Sequence, residues 1–300
     1  MYGTSLVVMA GVMKNPALRT KPSMLVASAL LGIFELSYEY SIGTVEIAHQ
    51  AWIAHTAGNA ALILSREPQE YKKGYSHMLF SDLRIVQAFY GMRLCKPCPF
   101  AAQEWKTVPF EDIPKSPKDV IADITLELPE LYSDIKNATE CLEGEEQLAL
   151  LETIASKSWL LDFRLRTWAA TTGLQIREFV KSKIAAGSST TAMSSEQYAL
   201  ANVSLLYWIT CISLYDILEM TGDTFESPWP EHANPLIYCR ELTVFIPFLL
   251  APQAGCPVTN FVFFALDSAA VNSRHFDYKR KKATHDYQLA LVQSHRNGNP

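Results

Sequence analysis

Apolar residues in this chain recur every three or four positions and nowhere settle into sustained alternation, which confines the fold to packed helices. Tyr2, Leu6, Met9 and Met13 share one helical face. Val45, Ala48, Trp52, His55, Asn59 and Leu62 share another, and a third stripe runs through Tyr75, Met78, Leu79, Leu83, Val86 and Phe89 or Tyr90. No Asn-Gly or Asp-Gly pair separates two apolar runs, so no tight hairpin is signalled. The expected class is all-α: an irregular multi-helix domain over residues 1–273 with a proline-rich extended crossing, then a basic polar tail over 274–300. No motif repeats at a fixed period, so a regular solenoid is not expected.

Local signals divide the helical stretch. Asn15-Pro16 ends the first helix, and Pro22 suits the start of a second that runs to about Tyr38. That second helix is apolar all round, which predicts a central, buried position. Thr44 is a candidate cap for the next, and Arg66-Glu67-Pro68 closes it. Pro97, Pro99, Pro109, Pro114 and Pro117 then crowd one stretch. They predict an extended surface crossing anchored by Phe100, Trp105 and Phe110. Helical spacing resumes at Val120, Ile121 and Ile124, and Pro129 starts a helix carrying Leu131 and Ile135. A long helix is expected over about 145–170 and another after Gly173. Ser194 and Gln197 read as a capping box after a Ser/Thr-rich linker, opening a buried helix that reaches Met220. Two apolar helices are expected around 236–250 and 258–271.

Composition narrows the function classes. Of 300 residues, 49% are apolar and 19% charged, enough for a sizeable core. The net charge of −5 excludes a dedicated, highly basic nucleic-acid binder. The apolar runs 24–34 and 242–250 are too short to span a bilayer, and no secretory signal is visible, so a soluble intracellular chain is expected, with no membrane partner. Residues 274–300 carry net +4, concentrated at Lys279, Arg280, Lys281 and Lys282. Such a cluster is a candidate nuclear-import signal, or else a solvated tail.

Motifs with chemistry are sparse. Cys95-Lys96-Pro97-Cys98 has no second Cys or His pair nearby to complete a zinc site and no strand for a redox fold. It reads as a loop with two unrelated cysteines. Glu46-x-x-His49 places a carboxylate and an imidazole on one helix face, but a di-iron bundle needs a second such motif and two further Glu. Asp119, Asp123, Glu127, Glu130 and Asp134 are spaced like a solvated helix face rather than a magnesium–diphosphate site. No catalytic, metal or cofactor residues are therefore expected.

Three segments resemble the fungal-specific transcription factor domain, the helical regulatory region of fungal binuclear zinc-cluster activators. Leu30-Leu31-Gly32-Ile33-Phe34-Glu35 is similar to its apolar helix ending in Glu. Trp52-x-x-His55-x-x-Gly58 with Leu62-Ile63-Leu64-Ser65-Arg66 is similar to its tryptophan, histidine and arginine signature. Leu79-Phe80-x-x-x-Arg84, then Glu104-Trp105-Lys106-Thr107-Val108-Pro109-Phe110, Pro114-Lys115-Ser116-Pro117 and Leu128-Pro129-Glu130-Leu131 form the most specific run. The resemblance implies a non-enzymatic nuclear regulator in which Trp52, His55, Arg66, Arg84, Trp105 and Pro109 are structural. It implies protein partners or a small-molecule effector, a second copy of the chain among the candidates, and control of genes such as a secondary-metabolite cluster. Its zinc cluster is missing: the six cysteines spread from Cys95 to Cys256, so no specific DNA binding is expected. The alternatives are an all-α enzyme or small-molecule binder with an aromatic-lined pocket, and a cytoplasmic location.

Overall fold

The computed structural model describes residues 2–19, 21–42, 45–141, 143–186, 193–221 and 230–249. The fold is all-α, with no strand among the described residues. The chain divides into two compact units: Met1–Tyr90 with Pro99–Lys115, and Gly91–Cys98 with Ser116–Pro300. The helix expected around 258–271 and the tail with Lys279, Arg280, Lys281 and Lys282 lie outside the described residues.

In the first unit, α1 (Tyr2–Met13) is followed by a short α2 (Pro16–Arg19). Asn15 Oδ1 accepts the Ala17 N–H at 3.0 Å, the local bond by which an Asn before Pro opens a new turn. Then α3 (Pro22–Ile42) packs along α4 (Val45–Leu64). Gly32 permits a close approach: a Cβ there would lie 3.2 Å from the Cβ of His55. Contrary to the expectation of a central helix, only one side of α3 is covered over its described side chains, 22–34. Met24, Leu25 and Ser28 are buried, whereas Val26, Leu30 and Phe34 are exposed. Its apolar surface exceeds what α4 covers.

After a 3-10 turn at Pro68–Tyr71 comes α5 (Gly74–Leu94), whose interior differs from the expected stripe. Tyr75 and Met78 are exposed, while Ser81, Arg84 and Gln87 are buried. The middle of this helix is enclosed, so position in the fold overrides residue type, and its polar groups find partners inside. Gln87 Nε2 donates to the Thr56 carbonyl at 2.7 Å. At the end of α5, Cys95 takes φ +48, a left-handed position usually held by glycine. The Lys96 N–H then closes onto the Gly91 carbonyl at 2.9 Å.

The proline-rich crossing is not extended. It winds through a 3-10 turn at Pro99–Ala101, α6 (Gln103–Thr107) and a second 3-10 turn at Val108–Phe110. Pro99 and Pro109 occupy the first and second positions of their turns, and Pro117 opens the helix that follows, where no backbone N–H is required. The expected anchors hold: Phe100, Trp105 and Phe110 are buried.

The second unit is built around one helix. Ser116 caps α7 (Pro117–Thr125) in a reciprocal box with Asp119. Then come α8 (Leu128–Cys141), α9 (Gly144–Ala170), α10 (Leu174–Ala186), α11 (Ser195–Met220) and α12 (Pro235–Leu249). The expected capping box opens α11, with the Gln197 N–H on Ser194 Oγ and the Ser194 N–H on Gln197 Oε1, both at 3.2 Å. Helices α7, α8, α9, α10 and α12 all pack on α11. Among the described residues α11 alone is long and apolar enough to cross a bilayer, but 83% of that stretch is buried inside the protein, which makes it the core helix.

Of the five carboxylates expected on a solvated face, Glu130 is exposed as expected, whereas the other four are buried or half-buried. Asp119 and Asp123 are buried. Glu127 accepts from Arg164 at 2.8 Å, and Lys157 reaches Glu130 at 3.1 Å and Asp134 at 3.4 Å. These pairs tie α8 and the turn before it to α9. The turn and α8 supply the acids and α9 the bases, a division that residue spacing on one helix does not reveal.

Candidate functional site

Two side-chain clusters, one in each unit, concentrate the polar and aromatic chemistry. In the first unit the cluster forms where α5 meets the crossing. Phe80 and Trp105 lie with ring centroids 5.5 Å apart, and Phe100 meets both, at 5.8 and 5.3 Å. Tyr71 adds a fourth ring, 5.3 Å from Phe80 and 5.9 Å from Trp105. Arg84 is wholly buried, with its guanidinium carbon 4.5 Å from the centroid of Phe110. A desolvated guanidinium over an aromatic face gains from the ring quadrupole, which offsets part of the cost of burying the charge.

His77 fixes the crossing to α5. Its Nδ1 lies 3.0 Å from the carbonyl oxygens of both Tyr71 and Pro109. Carbonyls only accept, so Nδ1 carries the hydrogen and the tautomer is set. The Tyr71 hydroxyl donates to the Ile63 carbonyl at 3.1 Å. Burial pushes that hydroxyl up to about 12, against the lowering pull of Arg66. Arg66 follows the end of α4. Its Nε pairs with Glu70 at 2.9 Å while its guanidinium covers the Tyr71 ring at 5.0 Å.

Of the six residues singled out by sequence, Arg84, Trp105 and Pro109 therefore converge directly, and Arg66 joins through Tyr71. Trp52 and His55 stand apart on α4, half-buried, with Trp52 edge-on to Tyr90 at 6.2 Å and His55 against Gly32. Glu46 and His49 fall at the start of α4, and their side chains lie outside the described residues.

The second unit holds a buried polar network that the sequence reading missed. Asp162, only 1% exposed, accepts from the Tyr215 hydroxyl at 2.8 Å and from Arg166 Nε at 2.9 Å. His232 Nε2 lies 3.3 Å from its Oδ1. The Tyr238 hydroxyl donates to the His232 carbonyl at 2.8 Å, and its ring stacks on Tyr215 at 5.6 Å. A second carboxylate, Glu241, takes a two-pronged bond from Arg177 at 2.8 and 3.0 Å and the Trp208 indole N–H at 2.7 Å. Arg177 also covers the Tyr207 ring at 4.7 Å.

Burial raises the hydroxyls of Tyr132, Tyr207, Tyr215 and Tyr238 well above the usual tyrosine range. Asp216 adds to the effect at Tyr132, Cys211 at the other three, and Asp162 further at Tyr215. Burial likewise pushes the Cys211 thiol up, and Cys239 to about 11. Neutral, proton-holding groups of this kind are suited to rigid hydrogen bonding rather than to nucleophilic attack. The Cys95 thiol is also pushed up by burial, and Cys98 is buried. Among the described residues no group of three or more His, Cys, Asp or Glu is gathered as a metal ion requires.

A signal for the network was present. Ile154, Ser158, Leu161, Leu165 and Trp168 form the buried stripe of α9, and Asp162 falls beside them. A carboxylate inside such a stripe demands a partner. Arg166 is within local reach at four residues, but its buried partner Tyr215 and His232 lie 53 and 70 positions away, out of reach of local pattern.

The chain matches no family model, no curated protein and no solved structure. What fold and clusters define is an all-α protein of two units with buried charged residues locked by aromatic and hydrogen-bonding partners.

Proposed function

We propose that this chain is a transcription-regulatory domain of the fungal-specific transcription factor kind, acting through protein partners or a small-molecule effector and catalysing no reaction itself. The observation that carries the reading is the convergence of the blocks behind the resemblance. Phe80 and Arg84 come from one block, Trp105, Pro109 and Phe110 from another, and they interlock in a single cluster. The scaffold role implied for Arg84, Trp105 and Pro109 is consistent with their places in it. By this reading the chain works in the nucleus, with genes such as a secondary-metabolite cluster as its targets, and DNA contact comes from a partner.

Tethering tests this. Fused to a heterologous DNA-binding module, the full chain should raise or lower a reporter at least severalfold. Output equal to that of the module alone, with the fusion expressed and bound, overturns the proposal. A second fusion, of residues 274–300 to a large fluorescent protein, tests location. Nuclear accumulation should require Lys279, Arg280, Lys281 and Lys282, and a cytoplasmic reporter would refute that role for them. The alternative of a small-molecule binder or enzyme draws on the tyrosine-rich surroundings of Cys211. It would be favoured by a ligand that raises the melting temperature of wild type but not of a Tyr238→Phe variant.

A further inference from the structure

Ser116-Pro117 is the one Ser-Pro or Thr-Pro pair among the described residues; Ser227-Pro228 lies outside them. Residues 111–116 form no helix, and all but the half-buried Lys115 are exposed. Pro117 bars the residue before it from helical backbone, and Ser116 accordingly takes φ −71 and ψ 166. Its side chain thus stands on extended, solvent-facing backbone that a kinase cleft can grip. Pro117 also has no N–H to give. A kinase that needs a hydrogen bond from the residue after its target is excluded, and one with an apolar seat for the ring is selected. The hydroxyl is held in the capping box of α7. Ser116 Oγ donates to Asp119 Oδ2 at 2.6 Å and accepts the Asp119 N–H at 3.3 Å, while the Ser116 N–H reaches the same carboxylate at 3.1 Å. Asp119 is only 5% exposed.

We propose that Ser116 is a phosphorylation site for a proline-directed protein kinase, and that the phosphate opens the first turn of α7. The box lies at a helix end, where the first turn frays, so the hydroxyl can leave Asp119 for the kinase. Oγ then attacks the γ-phosphorus of ATP. The Oγ–P bond forms, the bond to the ADP oxygen breaks, and the hydroxyl proton passes to the catalytic base of the kinase. The product keeps almost no proton at neutral pH for Asp119 to accept, and it sets nearly two negative charges beside a buried carboxylate. The α7 macrodipole offers about half a positive charge in return, less than the full negative charge with which Asp119 opposes it. Lys115 and Lys118 flank the site in sequence, but Lys115 lies over the Phe110 ring at 5.3 Å and Lys118 is half-buried. Helix α7 packs on α9 and α11, so an opened first turn reaches the core of the second unit. The inference stands independently of the transcription reading.

The full chain is incubated with ATP and a purified mitogen-activated protein kinase, and phosphate is located by tandem mass spectrometry. Ser116 should be modified, and Pro117→Ala should slow its modification about tenfold or more. In the modified chain the Asp119 and Val120 amides, whose N–H groups rest on Ser116, should exchange hydrogen about tenfold faster, and the melting temperature should fall. Asp119→Asn, which keeps an acceptor without the charge, should take the phosphate and show neither change. No phosphate on Ser116 from a kinase active on a reference substrate overturns the proposal, as does equal modification of Pro117→Ala. Phosphate on Ser116 with unchanged amide exchange, or with the same acceleration in Asp119→Asn, overturns the opening of α7.

Discussion

Asp162 and Glu241 each accept from a buried donor, the Tyr215 hydroxyl and the Trp208 indole, whose alternative is an unpaired group in a dry interior. Asp162→Ala would strand the Tyr215 hydroxyl, while Arg166 and His232 can turn to water, and a loss of about 2 kcal/mol in urea unfolding is expected. A change within about 0.5 kcal/mol would show that the network carries no load. Two glycines make a contrasting pair. A Cβ on Gly173 would fall 2.5 Å from the Trp168 ring, which cannot retreat because it stacks on Tyr207 and donates to the Pro117 carbonyl. Gly173→Ala should therefore lose about 1–3 kcal/mol. Gly58 lies within α4 with nothing within 4 Å of the same position, so Gly58→Ala should gain about 0.5–1 kcal/mol from helix propensity. Thermal melts of the two variants should move in opposite directions.

At the scale of elements, helix existence was legible and helix environment was not. Pro22, Pro129 and the Ser194–Gln197 box mark starts that the structure keeps, because caps and proline act through the local backbone. The crossing was misjudged as extended because prolines forbid only the helix interior, and short turns place them at the first positions. The face of α5 was misjudged because Arg84 and Gln87 are buried by neighbours distant in sequence. Of the candidate cluster, the anchors Phe100, Trp105 and Phe110 could be read from their type, whereas His77 could not, since its acceptors are backbone carbonyls. Burial separates two tryptophans that the sequence treats alike. Trp105→Ala should cost about 3–5 kcal/mol, a cavity amid three rings. The half-buried Trp52 should cost less when changed to Ala, about 1–2 kcal/mol. Equal losses for the two would contradict the placement of either.

Across the whole molecule, buried hydroxyls make stability fall at high pH. Tyr71 titrates near 12 when folded against about 10 when unfolded, so below pH 10 both states hold the proton and nothing is lost. Between about pH 10 and 12 the unfolded chain ionises first and the native state loses stability, and Tyr132, Tyr207, Tyr215 and Tyr238 act in the same direction. Tyrosinate absorbance from the buried set should thus rise only together with loss of helical circular dichroism. A single smooth titration with the helices intact would contradict the burial of that set.

The proposed regulatory role is tested most directly by chromatin immunoprecipitation of the full chain, tagged at its native locus. A regulator brought to DNA by a partner should be recovered at discrete promoters. Recovery at background level across the genome, from a chain that is expressed and folded, would contradict a role in transcription.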